Sequence, residues 1–245
     1  MHIFGESTAV PGAGRRYLRL TSLARAGAGK AAAIGSRLGA GRSAELEPLV
    51  RLLGMRTLGR RYYGALIDAS GASYADVDET LARIWSLKPY AWAREWRRTA
   101  GRYDLLGREA AKQGRGASAV ELLTKASKYY RFAEWSLLAD SAERQSLQQA
   151  SIQAYLLAGT FMAPPLEPLT LHIDGCDVPA YLRVPIGAER PPVVLIVPGL
   201  GMVKEHGDFP DEVVLARGMA AMSVDLPGQG ESRGLLALNQ DLSLI

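Results

Sequence analysis

Residues 193–232 read VVLIVPGLGMVKEHGDFPDEVVLARGMAAMSVDLPGQGES, and this stretch decides the fold. The run at 193–197 has no polar alternation, the pattern of a strand covered on both faces. It breaks at Pro198-Gly199-Leu200-Gly201, a helix is expected near residues 210–217, and residues 219–226 give a second buried strand ending in DLPGQGES. Two buried strands with a helix between them predict a parallel pair joined by a right-handed crossover.

Upstream, the period is two. Leu169, Leu171 and Ile173 alternate with polar residues as far as Asp174-Gly175, and Val178, Ala180, Leu182 and Val184 alternate beyond it. That is an antiparallel hairpin with a short turn. Hairpin, buried strand, helix and buried strand together indicate an α/β layer architecture.

Before Pro164-Pro165 the pattern becomes helical. Ser118 and Glu121 read as a capping box for a helix over residues 119–139, where Leu123, Ala126, Tyr130, Ala133 and Leu137 share one face. Asp140 with Glu143 opens the next helix, with Leu147, Ala150, Ala154, Leu157 and Phe161 on one side. Ser73 with Asp76 starts a helix through Leu87, and Pro89 starts another towards Lys112. A weaker helix over residues 46–68 is loosened by Gly54 and Gly59. Short loops between such helices make antiparallel neighbours in a bundle. Trp85, Trp92, Trp96, Tyr129, Tyr130, Phe132 and Trp135 read as the core of that bundle rather than as a ligand pocket, because helical spacing accounts for them. The expected division is a basic flexible arm over 1–43, a cap-like helical domain over 44–165 and a partial α/β domain over 166–245.

Composition narrows the function classes. With 48% hydrophobic and 22% charged residues the chain is an ordinary globular protein, and Cys176, its single cysteine, excludes a disulfide scaffold. No run approaches the roughly 18 apolar residues of a spanning helix. Residues 1–43 carry seven Lys/Arg against Glu6 alone, so the rest of the chain holds 22 bases against 24 acids. The excess basicity belongs to the arm, and no nucleic-acid partner is expected. Arg15-Arg16 fails as an export signal because Arg25 and Lys30 interrupt the apolar region, and a cytoplasmic location follows. Gly29-Lys30 fails as a phosphate loop because Ala24 and Ala31 replace the required glycine and hydroxyl. No His, Cys, Asp or Glu cluster has metal-ligand spacing, so neither metal nor cofactor is expected.

A buried strand running into PGLG, followed by another running into D-x-P-G-x-G-x-S, resembles the first half of an α/β-hydrolase domain. With the helical domain before it, the chain is similar to the 2,6-dihydroxypseudooxynicotine hydrolase-like group over roughly residues 75–232. The elements that carry the likeness are Gly199-Leu200, Lys204-Glu205, residues 215–220 (LARGMA), and Asp225, Pro227, Gly228, Gln229, Gly230 and Glu231. The resemblance implies serine hydrolysis of a C–C or ester bond in a ketone or acyl substrate, through an acyl-enzyme. It implies an oxyanion donor at the Leu200 amide, flanked by Gly199 and Gly201, with Glu205 as an auxiliary carboxylate and a small hydrophobic or aromatic molecule as the substrate.

In the family order the nucleophile follows the fifth strand, so Ser232, in the literal G-x-S-x-G at residues 230–234, is a decoy. None of His2, His172 or His206 matches the family histidine, and Cys176 is incidental. The nucleophile, acid and histidine are therefore expected beyond Ile245, and the chain is expected to be inactive alone. The 193–197 strand would then lack one neighbour, which a partner chain or a second copy would have to cover. The alternative is a non-catalytic binding module built on the helical bundle.

Overall fold

The computed structural model describes residues 47, 48, 50–52, 54–56, 71–173, 175–199, 202–206, 208–225 and 228–234. The chain divides between Leu52 and Leu53. Of the first part, residues 47, 48 and 50–52 are described and are helical; the arm over 1–43 and His2 lie outside the described residues.

In the second part, four helices precede the sheet: α1 (Tyr74–Ala82), α2 (Pro89–Lys112), α3 (Gly116–Glu134) and α4 (Ala142–Gly159). The start of α2 is fixed by Pro89, whose missing N–H costs nothing in a first turn. Ser141 caps α4 by accepting from the Arg144 backbone N–H at 3.2 Å, one residue later than the expected Asp140. The expected capping box at Ser118 does not form. The Gly114 turn starts α3 earlier, at Gly116, and Glu121 pairs instead with Lys125 at 2.7 Å.

The helical core is aromatic. Trp96, Tyr129 and Phe132 are fully buried, with Trp96 and Phe132 edge to face at 4.9 Å. Trp92 donates its indole N–H to the Phe132 carbonyl at 2.7 Å, which answers the polar end of a buried ring. Trp85 departs from the expected set: it is 54% exposed. Asp76 does not cap α1. It is buried and accepts from the hydroxyls of Tyr103 at 2.6 Å and Tyr129 at 2.8 Å, so one carboxylate joins α1, α2 and α3. Such a buried carboxylate persists only because each oxygen has a donor.

The sheet has four strands, β1 (Glu167–Ile173), β2 (Cys176–Arg183), β3 (Val193–Ile196) and β4 (Ala220–Val224), in the order β1-β2-β4-β3. β1 and β2 form the expected hairpin, turning at Gly175, whose φ of 78° suits a residue without Cβ; Asp174 lies outside the described residues. β2 pairs antiparallel with β4, and β3 pairs parallel with β4 through the crossover helix α5 (Asp208–Leu215). Ser223 on β4 donates to Asp211 on α5 at 3.2 Å.

One expectation is corrected. β4 is buried, but β3 is not covered on both faces: Val193 is 55% and Leu195 49% exposed. β3 is the last strand of the sheet and pairs with β4 alone among the described residues. Helix and sheet meet where Tyr155 of α4, Leu166 and Tyr181 of β2 form a buried cluster, with the two tyrosine rings 5.5 Å apart.

Candidate functional site

β3 and β4 run parallel, so the loops that follow them emerge at the same end of the sheet. In open α/β sheets this carboxyl end is where ligands bind. The loop after β3 carries Gly199 and a short 3₁₀ turn, Lys204–His206; the segment after β4 carries Asp225, Gly228 and a second turn, Gly230–Gly234.

The Lys204 ammonium, wholly buried, holds these loops together. It contacts Glu205 at 2.9 Å, Asp225 at 3.1 Å and Glu231. Asp225 accepts in addition from the Lys204 backbone N–H at 2.8 Å and from that of Glu231 at 3.1 Å. Gln229 donates its side-chain amide to the Gly199 carbonyl at 3.2 Å, a second link between the loops. Tyr181 reaches in from β2 and donates to Glu205 at 2.9 Å, with the ammonium 4.8 Å from its ring centre. That distance is within cation–π range.

Three carboxylates around one ammonium set the local electrostatics. Burial alone would pull the Lys204 ammonium down, but Glu205, Asp225 and Glu231 outweigh it and hold it above its ordinary value. Burial pushes the Glu205 carboxyl up against the pull of Lys204, and burial followed by Glu205 raises the Tyr181 phenol. The cluster thus sets one buried ammonium among three carboxylates, each close enough to pair with it. Both described contacts of Glu205 fall on Oε1.

Not all the expected residues are brought together. Gly199 lies at the loop with open space where a Cβ would stand, while Leu200 and Gly201 lie outside the described residues. Glu205 is at the centre of the cluster. Ser232 is buried in the second turn, and its Oγ has no hydrogen-bond partner among the described residues, so no described base activates it. His206 takes the Val203 N–H on Nδ1 at 3.2 Å, and burial, then Arg131 and Lys128, push its imidazole down to about 3. His172 is exposed on β1 and pairs across the hairpin with Asp177 at 2.5 Å, and Cys176 is a free thiol at the start of β2.

Sequence reasoning missed the hub role of Lys204 and the contribution of the helices. Lys204, Asp225 and Glu231 were legible as motif residues; that one ammonium gathers them is a fact of the fold. From the helical side, Arg131 and Glu134 of α3 and Ser151 of α4 line a small cavity together with Glu205, Gly230 and Glu231. Glu134 is buried between two guanidiniums, Arg144 at 2.6 Å and Arg131.

The comparisons agree with this architecture. The family model described as "Esterase FrsA-like" matches residues 62–245. The chain is 33% identical over 169 residues to the 2,6-dihydropseudooxynicotine hydrolase of Paenarthrobacter nicotinovorans, covering 69% of this chain and 44% of the relative. It is 25% identical over 181 residues to the esterase FrsA of Photobacterium profundum, covering 71% of this chain and 42% of that one. The crystal structure of the 2,6-dihydroxy-pseudo-oxynicotine hydrolase superposes with a TM-score of 0.58 at 29% identity, over 73% of this chain and 54% of that one. The chain thus spans less than half the length of these two curated relatives. With an α/β sheet behind a helical layer, and a family match over most of its residues, the chain belongs to the FrsA-like esterase family of α/β hydrolases.

Proposed function

We propose that the chain supplies the helical layer and the oxyanion-loop side of a serine hydrolase that cleaves a C–C or ester bond of a ketone or acyl substrate through an acyl-enzyme. The observation that carries this reading is the Lys204 cluster, which ties the loops after two parallel strands into one polar floor at the carboxyl end of the sheet. In this reading the Leu200 amide, between Gly199 and Gly201, donates to the oxygen that becomes negative in the transition state. Glu205 orients substrate or water beside it.

Acyl transfer needs a serine within reach of an imidazole, and Ser232 has no such partner among the described residues. The chain alone is therefore expected to give no turnover of aryl or acyl esters and no adduct with a fluorophosphonate probe. Ester hydrolysis abolished by Ser232→Ala, with the probe mapped to Ser232 by mass spectrometry, would overturn the assignment of that serine as a bystander.

A second reading is a non-catalytic binding module built on the helical bundle, with the open edge of β3 only pairing with another protein. A sizing column separates the two: a stable monomer favours the binding module, whereas self-association relieved by Leu195→Lys shows a sheet that needs a further neighbour and favours the incomplete hydrolase.

A further inference from the structure

Charge is unevenly shared between α2 and the rest of the molecule. Over Pro89–Lys112, α2 holds six Lys/Arg against three Asp/Glu, whereas the rest of residues 44–245 holds 16 against 21. Two of the three acids are turned inward: Glu95 pairs with Arg83 and Arg94 at 8% side-chain exposure, and Asp104 pairs with Arg108 at 17%. The outward side of the helix is left with its cations and with Glu109 as the one exposed carboxylate.

Trp92, Trp96, Thr99 and Ala100 of α2 are buried in the core. At about 3.6 residues per turn, Tyr90, Arg94, Arg97, Leu105 and Lys112 fall in one line on the opposite side, with Arg98 beside it. All six are exposed, Tyr90 at 63% and Leu105 at 71%. Arg94 pairs with Glu95 at 2.8 Å, but Arg97, Arg98 and Lys112 have no carboxylate at ion-pair distance among the described residues. Arg94 stands four residues from Arg98 and three from Arg97, spacings at which like charges repel across a helix surface. An anionic partner relieves that repulsion.

The extent of the line says which anion. From Arg94 to Lys112 the helix advances about 27 Å, far more than one small anion spans. Tyr90 and Leu105 set apolar side chains in the same line as the cations. The surface of an anionic bilayer suits both kinds of group: its phosphates accept from guanidiniums in fork geometry, and its interfacial layer takes up tyrosine rings and leucine side chains. No described helix is long and apolar enough to cross a membrane, so the contact is a peripheral one.

We propose that the outward face of α2 is a docking surface for an anionic phospholipid bilayer, on which the helix lies flat with Arg94, Arg97 and Arg98 at the phosphates. The surface stands apart from the hydrolase reading and requires no turnover.

The test uses the whole chain with vesicles of phosphatidylcholine alone and of phosphatidylcholine with phosphatidylglycerol in equal parts. The expected result is sedimentation with the anionic vesicles only, weakening as NaCl rises from about 0.05 M to about 0.5 M. Arg97→Gln with Arg98→Gln removes two cations at about fivefold each, so binding is expected to fall about 25-fold. The thermal midpoint is expected to stay unchanged, because neither side chain has an ion pair to lose. Residues 1–43 are basic as well, so a nitroxide-labelled phosphatidylglycerol locates the contact: the amide resonances of Arg94, Arg97 and Leu105 are expected to broaden before those of α3 and α4. Broadening confined to residues 1–43, undiminished binding by the double variant, or equal binding to phosphatidylcholine alone would overturn the proposal. Tighter binding to single-stranded DNA than to the anionic vesicles would also overturn it, by making the face a nucleic-acid surface. If the double variant does not fold, the pattern of broadening in the wild type decides alone.

Discussion

At the scale of single residues, Asp225 leaves no space for a side chain on Gly230. A Cβ there would stand 2.1 Å from Asp225 Oδ2, and φ at Gly230 is +46°. The left-handed backbone alone costs an alanine roughly 1 kcal/mol. The clash is the larger effect, because Asp225 is pinned by Lys204 and Glu231 and cannot yield without unpairing a buried ammonium. Gly230→Ala is expected to destabilise the protein by about 3 kcal/mol, read from urea denaturation; a loss under about 1 kcal/mol would mean that the Lys204 cluster is not held as described. His206 gives a second prediction, through pH. Its folded-state value of about 3 lies below the ordinary 6.5, so the folded protein holds the ring neutral while the unfolded chain protonates it. The unfolded state therefore binds more protons between these values, and stability falls as pH drops below about 6.5. At pH 5 the penalty is about 2 kcal/mol. His206→Gln keeps an acceptor for the Val203 N–H but cannot titrate, so the stability difference between wild type and variant is expected to move by that amount in the variant's favour between pH 7.5 and 5. Parallel pH profiles would refute it.

At the scale of elements, α2 and α3 approach closely because Gly107 has no side chain. A Cβ there would lie 2.6 Å from Leu123 Cγ and 3.1 Å from the Leu123 backbone N. Two effects oppose each other in Gly107→Ala. Helix propensity favours alanine by about 1 kcal/mol, and overpacking costs about 1–3 kcal/mol. Since backbone as well as side chain stands in the way, the clash is expected to win, with a net loss of about 1–2 kcal/mol in thermal or urea unfolding. A more stable variant would show that the helices separate freely. The same elements show what a sequence can and cannot specify. The start and direction of α2 were legible, because proline fixes its first turn, and the helix runs from Pro89 to Lys112. The Ser118 capping box was misread, because Glu121 had a rival partner four residues on in Lys125. The run at 193–197 could report that β3 is apolar but not which of its sides finds a neighbour. At the site, the glycine loops and Lys204-Glu205 were legible as a motif. Arg131 was not, since on a helix it reads as one more charged residue until the fold sets it beside Glu205.

At the scale of the whole molecule, stability is unevenly shared. α2, α3 and α4 enclose Trp96, Leu123, Tyr129, Phe132 and Leu147, all fully or almost fully buried, while neither β1 nor β3 contains a buried residue. Local opening is easiest where few apolar contacts resist it and the backbone hydrogen bonds face water. β3 meets both conditions, and it also borders the loop that holds Gly199. Native-state hydrogen exchange is therefore expected to find the amides of α2–α4 exchanging at the slowest, global rate, with those of β3 faster by on the order of 100-fold. β4, buried between β2 and β3, should fall between them. Protection of β3 equal to that of the helices would contradict this distribution and would mean that its outer edge is paired in solution; protection that rises with protein concentration would identify a second copy as the pairing strand's source.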